Sequence, residues 1–455
     1  MGHRLKVLHV PYTYFPDPVG GTEIYVRSLV ANLARSGVTS VICAPGASAR
    51  SYVHAGVQVH RFAGRHSEWP LEFWYDEGDS IAAEAFAALL ALEKPDVVHV
   101  HAHTTGVSLR LASKVRAYGV PMVFTYHTAT VSCETGGLLR WGHTPCDGRM
   151  DASRCCACNL ARLGMPRAFA SLVGRAPQGV GRIVEKCGLR GPAWTALRMS
   201  ALLGRKHAAI RAFLEIADVV VAPSQWVASL LEANALPAAK VAVCAQGLVR
   251  HPSSDLRKPL AAIPPLRVAV LARLDRSKGV HVLVEALAAS RDLDVVLDVF
   301  GVRQPGEPGY FETVSRAITL DPRIRLCSAV PHDEVPDLLA RYHVLAVPSQ
   351  IMETGPLVVL EAFAAGIPVI GSDLGGIRER VIDGRNGLLV RAADRGAWAA
   401  SLSRLIASPG MLQSLSRGIT APPTMEGVSA KMEKIYRALT SPSAVRAPAN
   451  RTTCV

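Results

Sequence analysis

No run of about eighteen uninterrupted apolar residues occurs in the 455-residue chain, so no membrane-spanning helix is expected. The opening MGHRLKVLHVPYTY holds too short an apolar stretch for a secretory signal, which points to a cytoplasmic protein. Lipid anchors are missing too: the amino end lacks the hydroxyl residue that myristoylation needs, and Cys454 stands too late for prenylation. Ten cysteines in a chain of this length do not make a secreted disulfide scaffold. Acidic residues almost vanish from one segment: between Asn159 and Arg211 ten Lys or Arg face Glu185 alone. The formal charge of +13 is therefore largely local, with about +9 in that segment. Nucleic acid, an anionic membrane or anionic substrates could each explain a basic patch, but its confinement favours a surface device over a general polycation.

A hydrophobic content of 49% and a mean hydropathy of +0.21 exclude disorder on the scale of the whole chain, and the length suffices for two domains with full cores. Leu5 to His9 reads as a short apolar strand. Pro16, Pro18, Gly20 and Gly21 then hold a loop open before Thr22 starts a helix with apolar Ile24, Val26, Leu29, Val30 and Leu33. Val38 to Ala44, PDVVHVHAH, VPMVFTYH and ADVVVAPS read as further buried strands, with a helix over Leu109 to Tyr118. Alternating strands and helices argue for an α/β fold with a parallel, doubly wound sheet. The same rhythm restarts at RVAVLARLDRSKG without a fixed repeat period, after a Pro-rich stretch, HPSSDLRKPLAAIPPL, that looks like a linker. The first domain is accordingly expected over residues 1–248, interrupted by an insertion over about 128–217, and the second over 265–423. Val428 to Leu439 reads as a final amphipathic helix within 424–440, and 441–455 as a loose tail.

The densest chemistry lies between Met352 and Val390, in METGPLVVLEAFAAGIPVIGSDLGGIRERVIDGRNGLLV. Gly355 and Pro356 are a helix-start signal: proline at the first helical position loses no hydrogen bond, and glycine admits a close neighbour. The amides that follow, at Leu357 and Val358, are free to face an anion. Glu353 precedes this helix and Glu361 lies in its second turn within an apolar run, where a carboxylate needs a partner. Two carboxylates around an anion-accepting helix start suit a ligand with vicinal hydroxyls and phosphates, as in a nucleotide sugar.

Glu, seven residues, Glu, followed by EAFAAGIPVIGSDLGG and DGRNGLLV, resembles the donor-site signature of family 4 retaining glycosyltransferases of the GT-B fold. Gly355-Pro356 stands where many members have Phe-Gly. The resemblance implies two Rossmann-like domains facing a central cleft, with the final helix crossing back to the first. It implies that Glu353 holds the sugar hydroxyls, Glu361 the ribose, and Arg273 with Lys278 the diphosphate. Gly20 and Gly21 match the family's N-terminal glycine loop, and His127, at the end of VFTYH, matches a histidine beside the donor sugar. Retention would follow a front-face route, with no catalytic metal. The implied partners are a nucleoside diphosphate sugar and a glycan or lipid-linked acceptor of cell-envelope synthesis; no nucleic acid is expected.

Other features keep separate readings. His99, His101 and His103 alternate along one strand and suggest a metal site, but the family commonly has histidine at this strand end. Asp292-Leu293-Asp294 resembles the D-x-D of a different, metal-dependent class, but it precedes VVLDVF and is read as a polar cap on that strand. Cys133, Cys146, Cys155 and Cys158 have spacings that suit a structural zinc or an iron-sulfur cluster more than a cytosolic disulfide pair; free buried thiols are the remaining reading. The basic stretch after them interleaves Arg with Leu, Ile, Val, Phe and Trp194, as helices on an anionic bilayer do, and as solvated faces of ordinary helices also do. On the first of these readings the protein is expected at the inner face of the cell membrane. Two rivals remain at this stage: a sugar-nucleotide epimerase of the same fold, and a zinc-containing nucleic-acid binder.

Overall fold

Short apolar strands alternate with helices throughout the computed structural model, which describes residues 4–17, 20–64, 71–248, 265–303, 308–331 and 334–441. The Pro-rich stretch after Arg250 and the tail beyond Ser441 lie outside the described residues. The chain divides into two units: Met1–Ala245 with Met425–Val455, and Gln246–Thr424.

In the first unit the strands are β1 (Lys6–Val10), β2 (Thr39–Gly46), β3 (Arg50–His54), β4 (Val57–Ala63), β5 (Val97–Val100), β6 (Met122–Thr125), a two-strand hairpin β7 (Leu139–Arg140) and β8 (Thr144–Pro145), β9 (Val219–Ala222) and β10 (Val241–Val243). All but the hairpin form one sheet in the order β10-β9-β6-β5-β1-β2-β4-β3. Every pairing in it is parallel except β3 with β4 at the edge. That hairpin turns through Ala55 (φ 48°) and Gly56 (φ 79°), both left-handed as a two-residue turn requires. Alanine at the first position hides the usual turn signature, so the hairpin is not legible in the sequence. The core of this unit joins Val7, Leu29, Ile42, Val59 and Val123 to Met425, Val428, Met432 and Tyr436 of the last helix, Met425–Thr440.

Residues after β6 depart from the strand and helix rhythm. Helices Ala152–Arg162, Arg167–Gly174 and Gln178–Lys186 pack on a 25-residue helix, Pro192–Ile216, that leads into β9. They share a small apolar cluster of Cys156, Leu160, Ala170, Met199, Leu202 and Leu203.

The second unit holds β11 (Leu266–Leu274), β12 (Val295–Arg303), β13 (Ile324–Cys327), β14 (Val344–Val347), β15 (Val369–Ser372) and β16 (Gly387–Val390). They form one parallel sheet in the order β13-β12-β11-β14-β15-β16. From β11 the chain first builds outward to β13 and then returns to lay β14 on the other side of β11. The gap beyond the carboxyl ends of β11 and β14 is thus a topological switch point, where such sheets bind ligands. In the first unit the equivalent point lies between β1 and β5.

Candidate active site

At the switch point of the second unit, two loops carry the charged residues. Arg273 occupies the carboxyl end of β11, and Lys278 ends the single turn Arg276–Lys278 beyond it. Gly279 follows with φ 70°, and a Cβ there would collide with the backbone carbonyl oxygen of Pro348, so the loop can close on the strand end only as glycine. The loop after β14 brings Ser349 and Glu353. Lys278 Nζ donates to Glu353 Oε1 at 2.6 Å, and Ser349 Oγ donates to the same oxygen at 2.8 Å. Burial alone would raise the Glu353 carboxyl, but the charge of Lys278, the two hydrogen bonds and the charge of Arg273 outweigh it and hold the pKa below its ordinary value. Glu353 is therefore an anion at neutral pH, embedded beside a cation.

Arg273 is more open, with 58% of its side chain exposed and its Nε 3.5 Å from Asp275 Oδ2. Its guanidinium has room to turn toward an incoming anion. Gly375 and Gly376 abut the Glu353 backbone: Gly376 N–H donates to Glu353 O at 2.6 Å, and a Cβ on Gly376 would sit 2.8 Å from that oxygen. The glycine pair thus seats the backbone that carries the Glu353 carboxylate. Pro356 caps the helix Leu357–Ala364 from outside rather than opening its first turn, leaving the first amides, at Leu357 and Val358, at the helix start. A Cβ on Gly355 would lie 2.9 Å from Gln246 Oε1, so a larger residue there would have to displace the Gln246 amide. Glu361 is buried, with 6% exposure, in the same helix. The second unit thus brings Lys278 and Glu353 into contact, sets Arg273 close enough to act on that carboxylate, and hangs Glu361 from the adjoining helix.

In the first unit, Gly20 caps the helix Gly21–Arg35, and Glu23 accepts the Gly20 N–H at 2.9 Å. Glu23 is thus part of the helix cap. Tyr25 of that helix packs edge-on against His127, ring centroids 4.9 Å apart. His127 belongs to a chain of buried imidazoles that sequence reading did not assemble. His9 Nδ1 lies 3.2 Å from His101 Nε2, and His101 Nδ1 lies 3.2 Å from His127 Nε2. His99 is held separately, by Tyr436 at 2.6 Å and Thr125 at 2.7 Å. Burial lowers His9 and His127 to about 3, and burial with neighbouring imidazolium charge lowers His99 and His101 well below their ordinary value. All four rings are neutral at pH 7. In a neutral chain each contact needs one donor and one acceptor, so the tautomers of His9, His101 and His127 are coupled. The signal available in sequence was His9, directly paired across the sheet with His99.

Ring nitrogens of His9, His99 and His101 lie within 4.8 Å of one another, a spacing a metal could use, but hydrogen bonds already engage both nitrogens of His99 and of His101. His103 points elsewhere, against Phe213. Asp292 and Asp294 are exposed just ahead of β12, at the amino edge of the sheet, away from the end where ligands bind. A cavity of about 690 Å³ opens beside β1 in the first unit, lined among others by Tyr12, Asp17, Trp74, His103 and Lys206, with Tyr12 60% and Trp74 53% exposed. Cys133, Cys146, Cys155 and Cys158 surround a second, small cavity.

Two parallel-sheet α/β units, each with its chemistry at a switch point, define a GT-B protein. The chain belongs to the family 4 glycosyltransferases: residues 20–247 match the family described as Glycosyl transferase 4-like domain, and residues 265–408 match Glycosyl transferases group 1. The D-inositol 3-phosphate glycosyltransferase of an Arthrobacter species is 26% identical over 412 residues, covering 88% of this chain and 84% of the relative. With the enzyme of that name from Corynebacterium urealyticum the identity is 29% over 184 residues, and the chain spans only 43% of the relative's length. Among solved structures, sucrose-phosphate synthase from Thermosynechococcus elongatus superposes with a TM-score of 0.65 at 21% identity, over 96% of this chain and 99% of that one. The Anabaena protein HepE, solved with UDP, superposes with a TM-score of 0.62 at 18% identity, over 96% and 100%. Both share the fold.

Proposed function

We propose that the protein transfers a sugar from a nucleoside diphosphate sugar to a lipid-linked or polysaccharide glycan in cell-envelope synthesis, with retention of anomeric configuration. The Lys278–Glu353 pair at the β11/β14 switch point, with Arg273 beside it and a helix start adjoining, carries the donor half of this reading. Leaving-group departure puts negative charge on the diphosphate, and cations already fixed in place stabilise it without reorganising. Glu353 and Glu361 supply acceptors for sugar and ribose hydroxyls. The leaving phosphate takes the acceptor proton on the front face. A relative named D-inositol 3-phosphate glycosyltransferase supports sugar transfer, and a neighbour solved with UDP supports the donor class. The acceptor half rests on the first unit's cleft, whose exposed Tyr12 and Trp74 offer flat faces for sugar rings. The test is a thermal-shift screen of nucleotide sugars followed by product analysis. One donor class should raise the melting temperature and release nucleotide only when acceptor is present. A donor isomerised without acceptor would identify an epimerase and overturn the reading.

Attachment to an anionic bilayer is the second part of the reading, supported by two short helices. Phe169 and Leu172 of Arg167–Gly174 are 64% and 68% exposed, and Ile183 of Gln178–Lys186 is 63% exposed. Arg167, Arg175, Arg182 and Lys186, close to them in the chain, are exposed as well. Apolar side chains in the headgroup layer with basic ones beside them fit an anionic surface, each charge adding about 1 kcal/mol. Among the described residues no helix is long and apolar enough to cross a membrane. Phe169→Asp with Leu172→Asp should lower cosedimentation with phosphatidylserine vesicles at least about tenfold while leaving activity on a soluble acceptor fragment intact. Equal binding by this double variant sinks the membrane assignment.

A further inference from the structure

We propose that Cys133, Cys146, Cys155 and Cys158 form a structural tetrathiolate site for one zinc ion. The four thiols come from three separate pieces of chain: the turn after β6, the end of the β7–β8 hairpin, and one face of the helix Ala152–Arg162, where Cys155 and Cys158 stand three residues apart. All four line a single cavity of about 30 Å³. A water-sized sphere needs roughly 10–15 Å³, so there is room for a single ion and not for a cubane of four irons and four sulfides.

Hydrogen-bond donors reach two of the four sulfurs. The Trp141 N–H donates to Cys158 Sγ at 3.4 Å, and Arg154 Nη2 approaches Cys146 Sγ at 3.8 Å. Such donors stabilise sulfur that carries negative charge. Binding releases four thiol protons and leaves a zinc tetrathiolate of net charge −2; Arg140, Arg149 and Arg154 line the same cavity. Cys43, Cys156 and Cys244 are by contrast buried within the protein, and Cys156, although adjacent in sequence to Cys155, faces the apolar cluster with Leu160 and Met199.

The local backbone also needs a staple. Two strands of two residues each cannot hold the stretch between β6 and the helices, and Leu138 (φ 50°) and Trp141 (φ 59°) are both in the left-handed region that L side chains avoid. A metal joining the hairpin to the helix would fix that stretch a few residues past His127.

Metal analysis of the full-length protein purified without chelator tests this. About one zinc per chain is expected, retained in Cys156→Ala and lost in Cys158→Ser. Should Cys158→Ser fail to fold, cobalt exchange into the unaltered protein gives a second readout: the visible bands of a tetrahedral cobalt tetrathiolate. Absence of stoichiometric metal, iron with acid-labile sulfide in place of zinc, a cobalt spectrum without thiolate bands, or loss of metal in Cys156→Ala would each overturn the assignment.

Discussion

Lys278→Met should lower kcat by about 10²–10³-fold, the usual cost of removing one fixed donor from a site where anionic charge develops. It should also destabilise the second unit. Lys278 Nζ and Glu353 Oε1 are 2.6 Å apart, with side chains 22% and 16% exposed, so the variant leaves a poorly hydrated carboxylate with Ser349 and the more distant Arg273 for support. Removing one partner of a buried pair costs about 3–5 kcal/mol, and this pair, not fully buried, belongs at the lower end. The two effects separate in the double variant Lys278→Met with Glu353→Leu, which removes both charges and should recover most of the stability. Turnover should not return, because the diphosphate still lacks its cation. Denaturant midpoints and single-turnover rates across the cycle measure both terms. Recovery of turnover in the double variant, or undiminished turnover in Lys278→Met, would remove this pair from the catalytic machinery.

The participants in that pair were legible in the sequence; their pairing was not. Arg273, Lys278, Glu353 and Glu361 stand in recognisable local patterns, and the strand before each loop reads from its apolar run. Lys278 and Glu353, however, lie 75 residues apart. Whether they touch depends on β14 returning beside β11, a sheet order that no local pattern encodes. The glycine pair at Gly375 and Gly376 escaped for the same reason, since its partner is the backbone of Glu353 in another loop; Ser349 shares a loop with Glu353, four residues away, but stands in no recognisable pattern. The histidine chain shows the limit most clearly. Alternation of His99, His101 and His103 suggested a shared face, yet His103 turns to Phe213 while His9 and His127, from the neighbouring strand β1 and the end of strand β6, complete the contacts. Neighbouring strands in a parallel sheet are chosen by crossover connections, so their side chains meet without any signature in sequence spacing.

Acidification should loosen the first unit well before its carboxylates titrate. His9 and His127 hold their protons only near pH 3 when folded, against about 6.5 in an unfolded chain. Below pH 6.5 the unfolded state binds protons that the buried rings refuse, so stability is complete above that pH and falls steadily toward pH 3. At pH 5 the loss is about 2 kcal/mol for each ring that titrates independently. His99 and His101, also lowered, add to it in the same direction, as do His103 and His207, each lowered to about 4. Contact along the chain keeps the sum close to additive, because a proton taken up by one folded ring would raise the cost of the next and leave the unfolded chain's uptake uncompensated. Hydrogen exchange at the amides of β1 and β5 reports this locally, and protection there should drop by more than about 10²-fold between pH 7 and pH 5 once intrinsic exchange is corrected. His9→Gln with His127→Gln should flatten that dependence by the share of the two rings, at some cost in stability at pH 7. Protection that is equal at the two pH values, or an acid slope unchanged in the double variant, would mean that the imidazole chain opens to water without global cost and that its neutrality is not enforced by the fold.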